Sequence, residues 1–215
     1  GRTGPYANRP GFDDVVQATS RYMANNIRGD GPIRTGGPVL DYATGMQAAS
    51  AVLAALLLKA RTGKGQYVDL AMQDVAMLLL NRNTSIAAST GLPPAPADNR
   101  EAPLLGRYQS ADGYVMLAGY FPDHCRAICA AVGLPEYADL TNAAFKSRIE
   151  EIESAVEAQL KTKTSAVWDQ IFSTEKVVAG GVQSLEETIA LGQPAARQLI
   201  QEVTSATGTQ QVTTA

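Results

Sequence analysis

One carboxylate in this sequence stands where covalent chemistry could take place. Asp41 lies between a short apolar approach, residues 38–40, and an Ala-, Leu- and Val-rich run over 43–59 that predicts a buried helix. A carboxylate at the start of a helix faces free backbone N–H groups and the positive end of the helix dipole, which hold it in place and ionised. In that state it can attack a thioester carbonyl and form a mixed anhydride. Helix capping explains the same residue, because aspartate is a favoured N-cap, so both interpretations stay open at this point.

Other candidate chemistries fail on residue type and spacing. Cys125 and Cys129 lie four apart, next to the sole histidine, His124, whereas a zinc site needs three or four converging ligands. We therefore predict no metal site and two buried, reduced thiols. The Gly63-Lys64 pair lacks both the upstream glycine and the following Ser or Thr of a phosphate-binding loop.

Composition limits the classes of partner. Of the 215 residues, 45% are apolar and 18% are charged, and the formal net charge is -3. This balance is typical of a globular domain and argues against a protein that binds nucleic acid or an acidic membrane by charge. No signal peptide opens the sequence, and the longest apolar stretch, residues 48–58, is too short to span a bilayer. We therefore expect a cytoplasmic protein with no nucleic-acid or membrane partner.

The elements around the carboxylate predict part of a layered α/β domain. Residues 13–24 and 73–88 have helical patterns, and residues 66–72 alternate as a strand does. This strand follows the apolar helix predicted over 43–59. A strand packed between two apolar helices indicates an αβα layer, which we place within residues 1–90.

The second half of the sequence has a different composition. Residues 105–110 and 114–118 predict a β-hairpin around an Asp112-Gly113 turn, and mostly helical patterns follow. Proline is concentrated just before this hairpin. The predicted parts are a linker over 91–103, a small α+β domain over 104–183, and a return towards the large domain over 184–215.

Four segments carry a family resemblance, and they occur in the family's order. Residues 4–13 (GPYANRPGFD) resemble a G-P-Y-x-x-R-P-G-(F/H)-D segment, and residues 37–45 (GPVLDYATG) resemble the segment that holds a catalytic aspartate. Residues 61–69 (RTGKGQYVD) resemble an R-T-G-(K/R)-G-Q-x-V-D signature, and residues 111–115 (ADGYV) are similar to a hairpin that opens a small domain. The sequence thus resembles the class III coenzyme A transferases of the CaiB/BaiF type over most of residues 1–190.

The resemblance implies an α/β fold, with part of a Rossmann-like large domain followed by a small α+β domain, in a family of interlocked homodimers. It also implies that Asp41 is the nucleophile. Coenzyme A would move from an acyl-CoA to a carboxylic acid through an aspartyl anhydride and an aspartyl-CoA thioester. The CoA thioester is then a substrate, and no permanently bound cofactor is expected. The chain maps onto the middle of these proteins, so we expect it to be part of a longer one.

Two groups of residues are further site candidates. The predicted substrate contacts are Phe12, Gln17, Tyr42 and Gly45. The predicted contacts to CoA phosphates, a role that suits cations, are Arg9, Arg61 and Lys64. The family often covers its site with a glycine-rich loop near the small domain. The only glycines in residues 91–106 are Gly91 and Gly106, so we expect that loop to be absent or different here.

Three alternatives stay open. α-Methylacyl-CoA racemases of the same family carry histidine where Phe12 stands, and phenylalanine cannot carry a proton, so the transferase is favoured. The chain could instead be a non-catalytic fragment, or a generic α/β ligand-binding domain. A binding domain would tolerate asparagine at position 41, whereas covalent catalysis would not.

Overall fold

The computed structural model describes residues 1–28, 31–92, 100–206 and 208–213. The chain divides into two compact units, residues 1–98 and residues 99–215. The division falls within the predicted linker, of which residues 93–99 lie outside the described residues. Each unit is described separately below.

Unit 1 is mainly helical in its described part. Its strands form one short antiparallel pair. Its elements are α1 (Asp13–Thr19), β1 (Ile27–Arg28), β2 (Gly31–Pro32), α2 (Val39–Thr62), α3 (Met72–Leu79) and α4 (Asn81–Thr90), with a 3-10 turn at Met23–Asn25. The predicted helix over 13–24 is therefore shorter than expected. The predicted helix over 73–88 is two helices, which meet at Leu80.

Helix α2 is the longest element of unit 1, with 24 residues. It begins after Pro38 and ends at Gly63, whose φ of 71° places it in the left-handed region that glycine adopts readily. The Gly63 N–H donates to the carbonyl of Lys59 at 2.8 Å, which satisfies one of the last free carbonyls of the helix. The helix thus extends beyond both ends of the predicted 43–59.

The surface of α2 is apolar on several sides, yet Leu40 is its only buried residue. Leu53, Leu56 and Leu57 are each more than half exposed. By length and composition the whole of α2 is long and apolar enough to cross a membrane. The apolar stretch over 48–58, considered in the sequence analysis, is only part of this helix. A helix from a protein core passes the same test, so this is weak evidence for a membrane span.

The strand predicted over 66–72 is not formed. Residues 64–71 have no regular secondary structure, although Ala71 itself has an extended backbone. A strand needs a neighbour to accept and donate its backbone hydrogen bonds, and no strand in the described part of unit 1 pairs with this segment. The αβα layer is therefore absent from the described residues, and the Rossmann-like sheet stays a prediction.

Unit 2 contains a four-stranded antiparallel sheet with helices packed on it. The strand order is β3-β4-β5-β6. The strands of this sheet are β3 (Arg100–Ala102), β4 (Leu105–Gln109), β5 (Tyr114–Ala118) and β6 (Ala179–Gly181). The helices are α5 (Pro122–Ala131), α6 (Pro135–Ala138), α7 (Asn142–Ser147), α8 (Ile149–Leu160), α9 (Ser165–Thr174), α10 (Leu185–Ala190) and α11 (Gly192–Ala196). The predicted hairpin is confirmed, with Gln109 opposite Tyr114 beside the turn.

The core of unit 2 lies between this sheet and helices α5, α8 and α9. Along β5, Val115 and Leu117 are buried while Tyr114 and Met116 are exposed, as expected for a sheet with one covered face. Trp168 of α9 is fully buried and stacks on Phe172 with ring centroids 5.7 Å apart. Among the described residues of unit 2 the buried apolar cluster contains seventeen side chains, both cysteines included.

The cysteines are free and buried, as the sequence predicted. Burial raises the pKa of the Cys129 thiol to about 12, so it is an unreactive thiol at neutral pH. Within the described residues no group of three or more His, Cys, Asp or Glu side chains could hold a metal ion.

The last part of unit 2 is exposed. Strands β7 (Ile200–Ser205) and β8 (Gly208–Thr213) form a separate antiparallel pair, and every described residue of β8 is exposed. Residues 184–215 cluster with unit 2. Their return towards the large domain stays a prediction.

Candidate active site

The start of helix α2 holds the candidate nucleophile. Asp41 is the third residue of this helix, and its side chain is exposed. The sequence interpretation in which Asp41 itself caps the helix is wrong. The cap comes from Asp13 of α1, whose Oδ2 accepts hydrogen bonds from the N–H of Leu40 at 2.7 Å and from the N–H of Asp41 at 3.1 Å.

The remaining N–H groups at this end are also accounted for. Pro38, the N-cap residue, has no N–H to satisfy. The Val39 N–H donates to the Gly37 carbonyl at 2.8 Å, and the Tyr42 N–H donates to the Pro38 carbonyl at 3.2 Å. The carboxylate of Asp41 therefore does not face free backbone N–H groups, as the sequence had suggested. In the described part of the chain it has no hydrogen-bond partner, and its role as nucleophile stays a prediction.

Asp13 belongs to a buried polar network that continues away from α2. Its second oxygen, Oδ1, accepts a short hydrogen bond from the side-chain amide of Gln17, one helical turn further along α1. Oε1 of Gln17 then accepts from the Thr35 N–H at 3.0 Å and from the Thr35 hydroxyl at 3.1 Å. Asp13, Gln17 and Thr35, called here the Asp13 network, thus connect α1, the loop before α2 and the first turn of α2.

Gln17 was predicted to contact substrate, but its partners in this structure are protein groups. Its side chain is fully buried, and both ends of the amide are hydrogen-bonded. Asp13 was not among the predicted site residues. Sequence spacing places Asp13 and Gln17 on one face of α1, but nothing in it indicates that Asp13 reaches a residue 28 positions later.

The other predicted substrate contacts lie at the surface of unit 1. Phe12, which directly precedes Asp13, is 83% exposed, so it is not a core residue. Tyr42 is 69% exposed and directly follows Asp41. Gly45 also faces open space, because a Cβ added there would meet no atom within 4 Å. These three residues are accessible to a ligand, and their contact with substrate stays a prediction.

The three predicted CoA-binding cations lie in different segments of unit 1, and their contact with CoA stays a prediction. Arg9 lies over the ring of Tyr6 at 4.9 Å from the centroid and lines a cavity of about 150 Å³ beside α1. Arg61 lies in the last turn of α2, and Lys64 just after it. Twenty residues separate Arg61 from Asp41, about 30 Å along a straight helix. Arg9 is the predicted cation nearest in sequence to the Asp13 network, four residues before Asp13.

The sequence interpretation gave no role to Thr44. Its hydroxyl oxygen is buried and has no hydrogen-bond partner among the residues that the structure describes. Residues three apart on a helix are neighbours, so Thr44 lies on the same side of α2 as Asp41. The only signal for it in the sequence was its place within the segment 37–45.

The protein thus has mixed helix and sheet structure, and the exposed carboxylate of Asp41 lies in the first turn of a long helix. The sequence matches the CoA-transferase family III profile over residues 1–215. The chain belongs to this family.

Curated relatives and solved structures agree with this assignment. The chain is 33% identical over 218 residues to the succinate–glutarate CoA-transferase of Agrobacterium fabrum, covering 97% of this chain and 54% of that protein. It is 31% identical to the acetyl-CoA:oxalate CoA-transferase of Acetobacter aceti, covering 93% and 54%. The orthorhombic crystal structure of Rv3272 from M. tuberculosis matches with a TM-score of 0.83 at 27% identity, covering all of this chain and 59% of that one. The chain spans about half the length of the curated relatives it matches.

Proposed function

We propose that the complete protein transfers coenzyme A from an acyl-CoA to a carboxylic acid, with Asp41 as the nucleophile. The observation that carries this proposal is that Asp13, and not Asp41, caps helix α2. Asp13 caps α2 with its buried carboxylate, so the exposed carboxylate of Asp41 is not needed for the fold at that position. A carboxylate in the first turn of a helix is also favoured in its ionised, nucleophilic form by the helix dipole.

The reaction proceeds by exchange between carboxylates and a thiolate. An oxygen of Asp41 attacks the carbonyl carbon of the acyl-CoA, the C–S bond breaks, and CoA leaves as a thiolate. The thiolate attacks the aspartyl carbonyl of the resulting anhydride, releasing the donor acid and leaving an aspartyl-CoA thioester. The acceptor carboxylate attacks this thioester and displaces CoA thiolate. The thiolate then attacks the acceptor's carbonyl in the second anhydride, which forms the new acyl-CoA and restores Asp41.

No step of this sequence needs a proton to be moved. The nucleophiles and leaving groups are carboxylates and a thiolate, so no general acid or base is required. This agrees with Phe12 in the place where the related racemases carry histidine. Each tetrahedral intermediate carries an oxyanion, which backbone N–H donors would stabilise. The N–H groups of Leu40 and Asp41 already donate to Asp13, so these donors must come from elsewhere.

A dicarboxylate is the acceptor class that we propose. The two curated relatives described above are named for succinate with glutarate and for oxalate, all dicarboxylic acids. The second carboxylate of such an acceptor needs a cation, and an arginine suits this role through paired hydrogen bonds. Arg9, which precedes Asp13 by four residues, is the candidate within unit 1. We also propose that the complete protein is a cytoplasmic homodimer.

The test is covalent trapping on the complete protein. It is incubated with succinyl-CoA or acetyl-CoA, treated with hydroxylamine, and mapped by peptide mass spectrometry. We expect a hydroxamate at Asp41, absent in Asp41→Asn, and a fall in turnover on the order of 1,000-fold or more in that variant. Asp14→Asn is the matched control, because Asp14 is an exposed carboxylate paired with Arg34 at 3.2 Å and should leave the adduct unchanged.

The outcomes separate the alternatives. An adduct on the complete protein but not on the 215-residue chain would mean that this part is inactive by itself. The absence of any adduct on both, or full activity of Asp41→Asn, would contradict covalent transfer through Asp41. The acceptor class is tested by comparing turnover with succinate, glutarate and oxalate against butyrate.

A further inference from the structure

The two oxygens of Asp13 accept hydrogen bonds from different parts of unit 1. Oδ2 accepts from the backbone of α2, and Oδ1 accepts from Gln17. We propose that Asp13 is a positioning residue for Asp41: through the Asp13 network it fixes the first turn of α2 and thereby sets the rate at which Asp41 is acylated. This inference rests on the proposed function, since it assigns the network a part in that reaction.

The chemistry of the network requires a carboxylate at position 13. All of its partners there are donors, namely two backbone N–H groups on one oxygen and a side-chain amide on the other. Only an ionised carboxylate presents two oxygens that both accept. Asparagine, of almost the same shape, would turn its NH2 group against a donor on one side or the other. A buried donor facing a donor loses both hydrogen bonds, and the site must shift to relieve it.

Gln17 cannot compensate by rotating its amide. Its Oε1 already accepts from the backbone N–H of Thr35 as well as from the hydroxyl; the hydroxyl could accept instead, but a rotation would place the amide NH2 against the backbone N–H, which can only donate. The network therefore has a fixed direction, from the backbone of α2 through Asp13 and Gln17 to the loop that precedes α2. Disturbing either end changes how this loop enters the helix.

The network acts on the reacting residue itself. The N–H of Asp41 is one of the donors, so the contact fixes the backbone from which the nucleophilic side chain projects. Apolar packing near this turn is limited. Among the described residues the buried cluster is small, with partly buried side chains packed against it: Val16, Leu40 and Ala76, then Tyr22, Val39 and Met72. A shift of about 1 Å in a reacting group can lower a rate by roughly 100-fold. Loss of the network should therefore slow acylation more than it weakens binding of the donor.

The donor–acceptor pattern provides a test by exchange. Asp13→Asn places an amide NH2 against the NH2 of Gln17. Gln17→Glu places a carboxylate against the carboxylate of Asp13. In the double variant, the introduced asparagine accepts from the two backbone N–H groups through its oxygen and donates through its NH2 to the introduced glutamate, which still accepts from Thr35. Every hydrogen bond of the network is thereby restored with the amide and the carboxylate exchanged. Asp14→Asn, one position along and exposed, is the matched control.

Two measurements are made on the complete protein, well below the lowest melting temperature of the set. The first is the single-turnover rate of adduct formation at Asp41 with saturating succinyl-CoA, together with KM for that donor. The second is hydrogen exchange of the amides of Leu40 and Asp41. We expect each single variant to slow adduct formation at least about tenfold, with KM changed by less than about threefold, and to increase exchange at both amides. The double variant should recover both readouts, and Asp14→Asn should change neither.

Each contrary result has a distinct meaning. If Asp13→Asn forms the adduct at the rate of the unaltered protein, Asp13 only stabilises the fold, and the inference is overturned while the proposed function stands. If the double variant stays as slow as the single ones, the donor–acceptor argument is overturned. If the unaltered protein forms no adduct at Asp41, the proposed function fails and the inference fails with it.

Discussion

The two units of this chain are held together in different ways. Unit 2 is built around a cluster of seventeen buried apolar residues between a sheet and its helices. In the described part of unit 1 the buried apolar cluster has three members, with three partly buried side chains packed against it, and the longest helix exposes leucines in its second half. At the candidate nucleophile, Asp41, unit 1 has the buried Asp13 network in place of a large apolar core. In unit 2 apolar packing sets the geometry, whereas at the site of unit 1 hydrogen bonds set it.

This difference has an energetic consequence. Burying one large apolar side chain contributes about 1.5–3 kcal/mol, so unit 2 has many independent contributions and tolerates the loss of a peripheral one. Unit 1 has few, and a helix that is apolar on several sides is normally covered by more protein. We therefore expect unit 2 to be the more stable unit in the chain studied alone, and α2 to gain most from whatever covers it in the complete protein.

The largest expected effect comes from truncating Trp168, a fully buried side chain of the unit 2 core. Trp168→Ala should reduce the free energy of unfolding of unit 2 by about 3–5 kcal/mol, because it leaves a large cavity. It also leaves the Leu160 carbonyl without the indole donor that now lies 2.8 Å away. Chemical denaturation followed by circular dichroism measures the change.

The neighbouring Val167 provides the control for that experiment. It is 44% exposed, so Val167→Ala should change stability by less than about 0.5 kcal/mol. If Trp168→Ala changed it equally little, the packed core of unit 2 would not be the source of its stability.

A matched pair of leucines sharpens the comparison. Leu40 in unit 1 and Leu117 in unit 2 are both fully buried. Leu117→Ala should lower stability by about 4 kcal/mol, whereas Leu40→Ala should lower it by about 2, because the small cluster around Leu40 can collapse more easily into the space. Hydrogen exchange resolves the two units in one experiment. Equal losses would mean that unit 1 is packed as rigidly as unit 2.

These contrasts also show what the sequence could predict. Helix α2 was predicted from its composition and the β4–β5 hairpin from its turn residues, and both formed, but the predicted burial of α2 was wrong because Leu40 is its only buried residue. The strand over 66–72 did not, because a strand depends on neighbours that local pattern does not contain. Asp41 was singled out from its surroundings in sequence, and its role as nucleophile stays a prediction, whereas the alternative in which it caps the helix was wrong. N-cap preference states which residue types suit the place, not which part of the chain supplies them.

The Asp13 network could not have been predicted from one sequence. Its bonds join residues 27 and 28 positions apart, and the polar types involved are common at helix starts. Only the fold brings α1 beside the start of α2. The same holds for Gln17, whose type and position suited a substrate contact equally well until its burial was known.

The exposed surface of α2 gives the next prediction. Leu57 is 59% exposed, so Leu57→Lys should change the stability of the 215-residue chain by less than about 0.5 kcal/mol. In the complete protein the same change should destabilise by more than about 2 kcal/mol if this face is covered, because a lysine would be buried without a partner. Thermal unfolding of both proteins measures the contrast. Equal, small effects in both would show that the face of α2 around Leu57 stays exposed.

The smallest expected effect concerns the surface of unit 2. The hydrogen bonds from Arg148 and then from Tyr137 lower the pKa of Glu151 from its ordinary 4.5 to about 2. Arg148 Nη2 lies 2.7 Å from Glu151 Oε1, and the Tyr137 hydroxyl lies 2.9 Å from the same oxygen. Because the folded pKa lies below the unfolded one, these contacts stabilise unit 2 above pH 4.5, and that contribution is lost as the pH falls from 4.5 to about 2.

Glu151→Gln should therefore lower the melting temperature of unit 2 slightly at neutral pH, and the difference from the unaltered protein should shrink as the pH falls and disappear below about pH 2. The Arg148 and Glu151 side chains are exposed, so solvent screening keeps the effect small. Glu150→Gln, at the preceding exposed position, is the control and should show no such pH-dependent difference. A constant difference across the range would mean that Glu151 acts through packing rather than charge. The core of unit 2 would then account for its stability without help from this surface group.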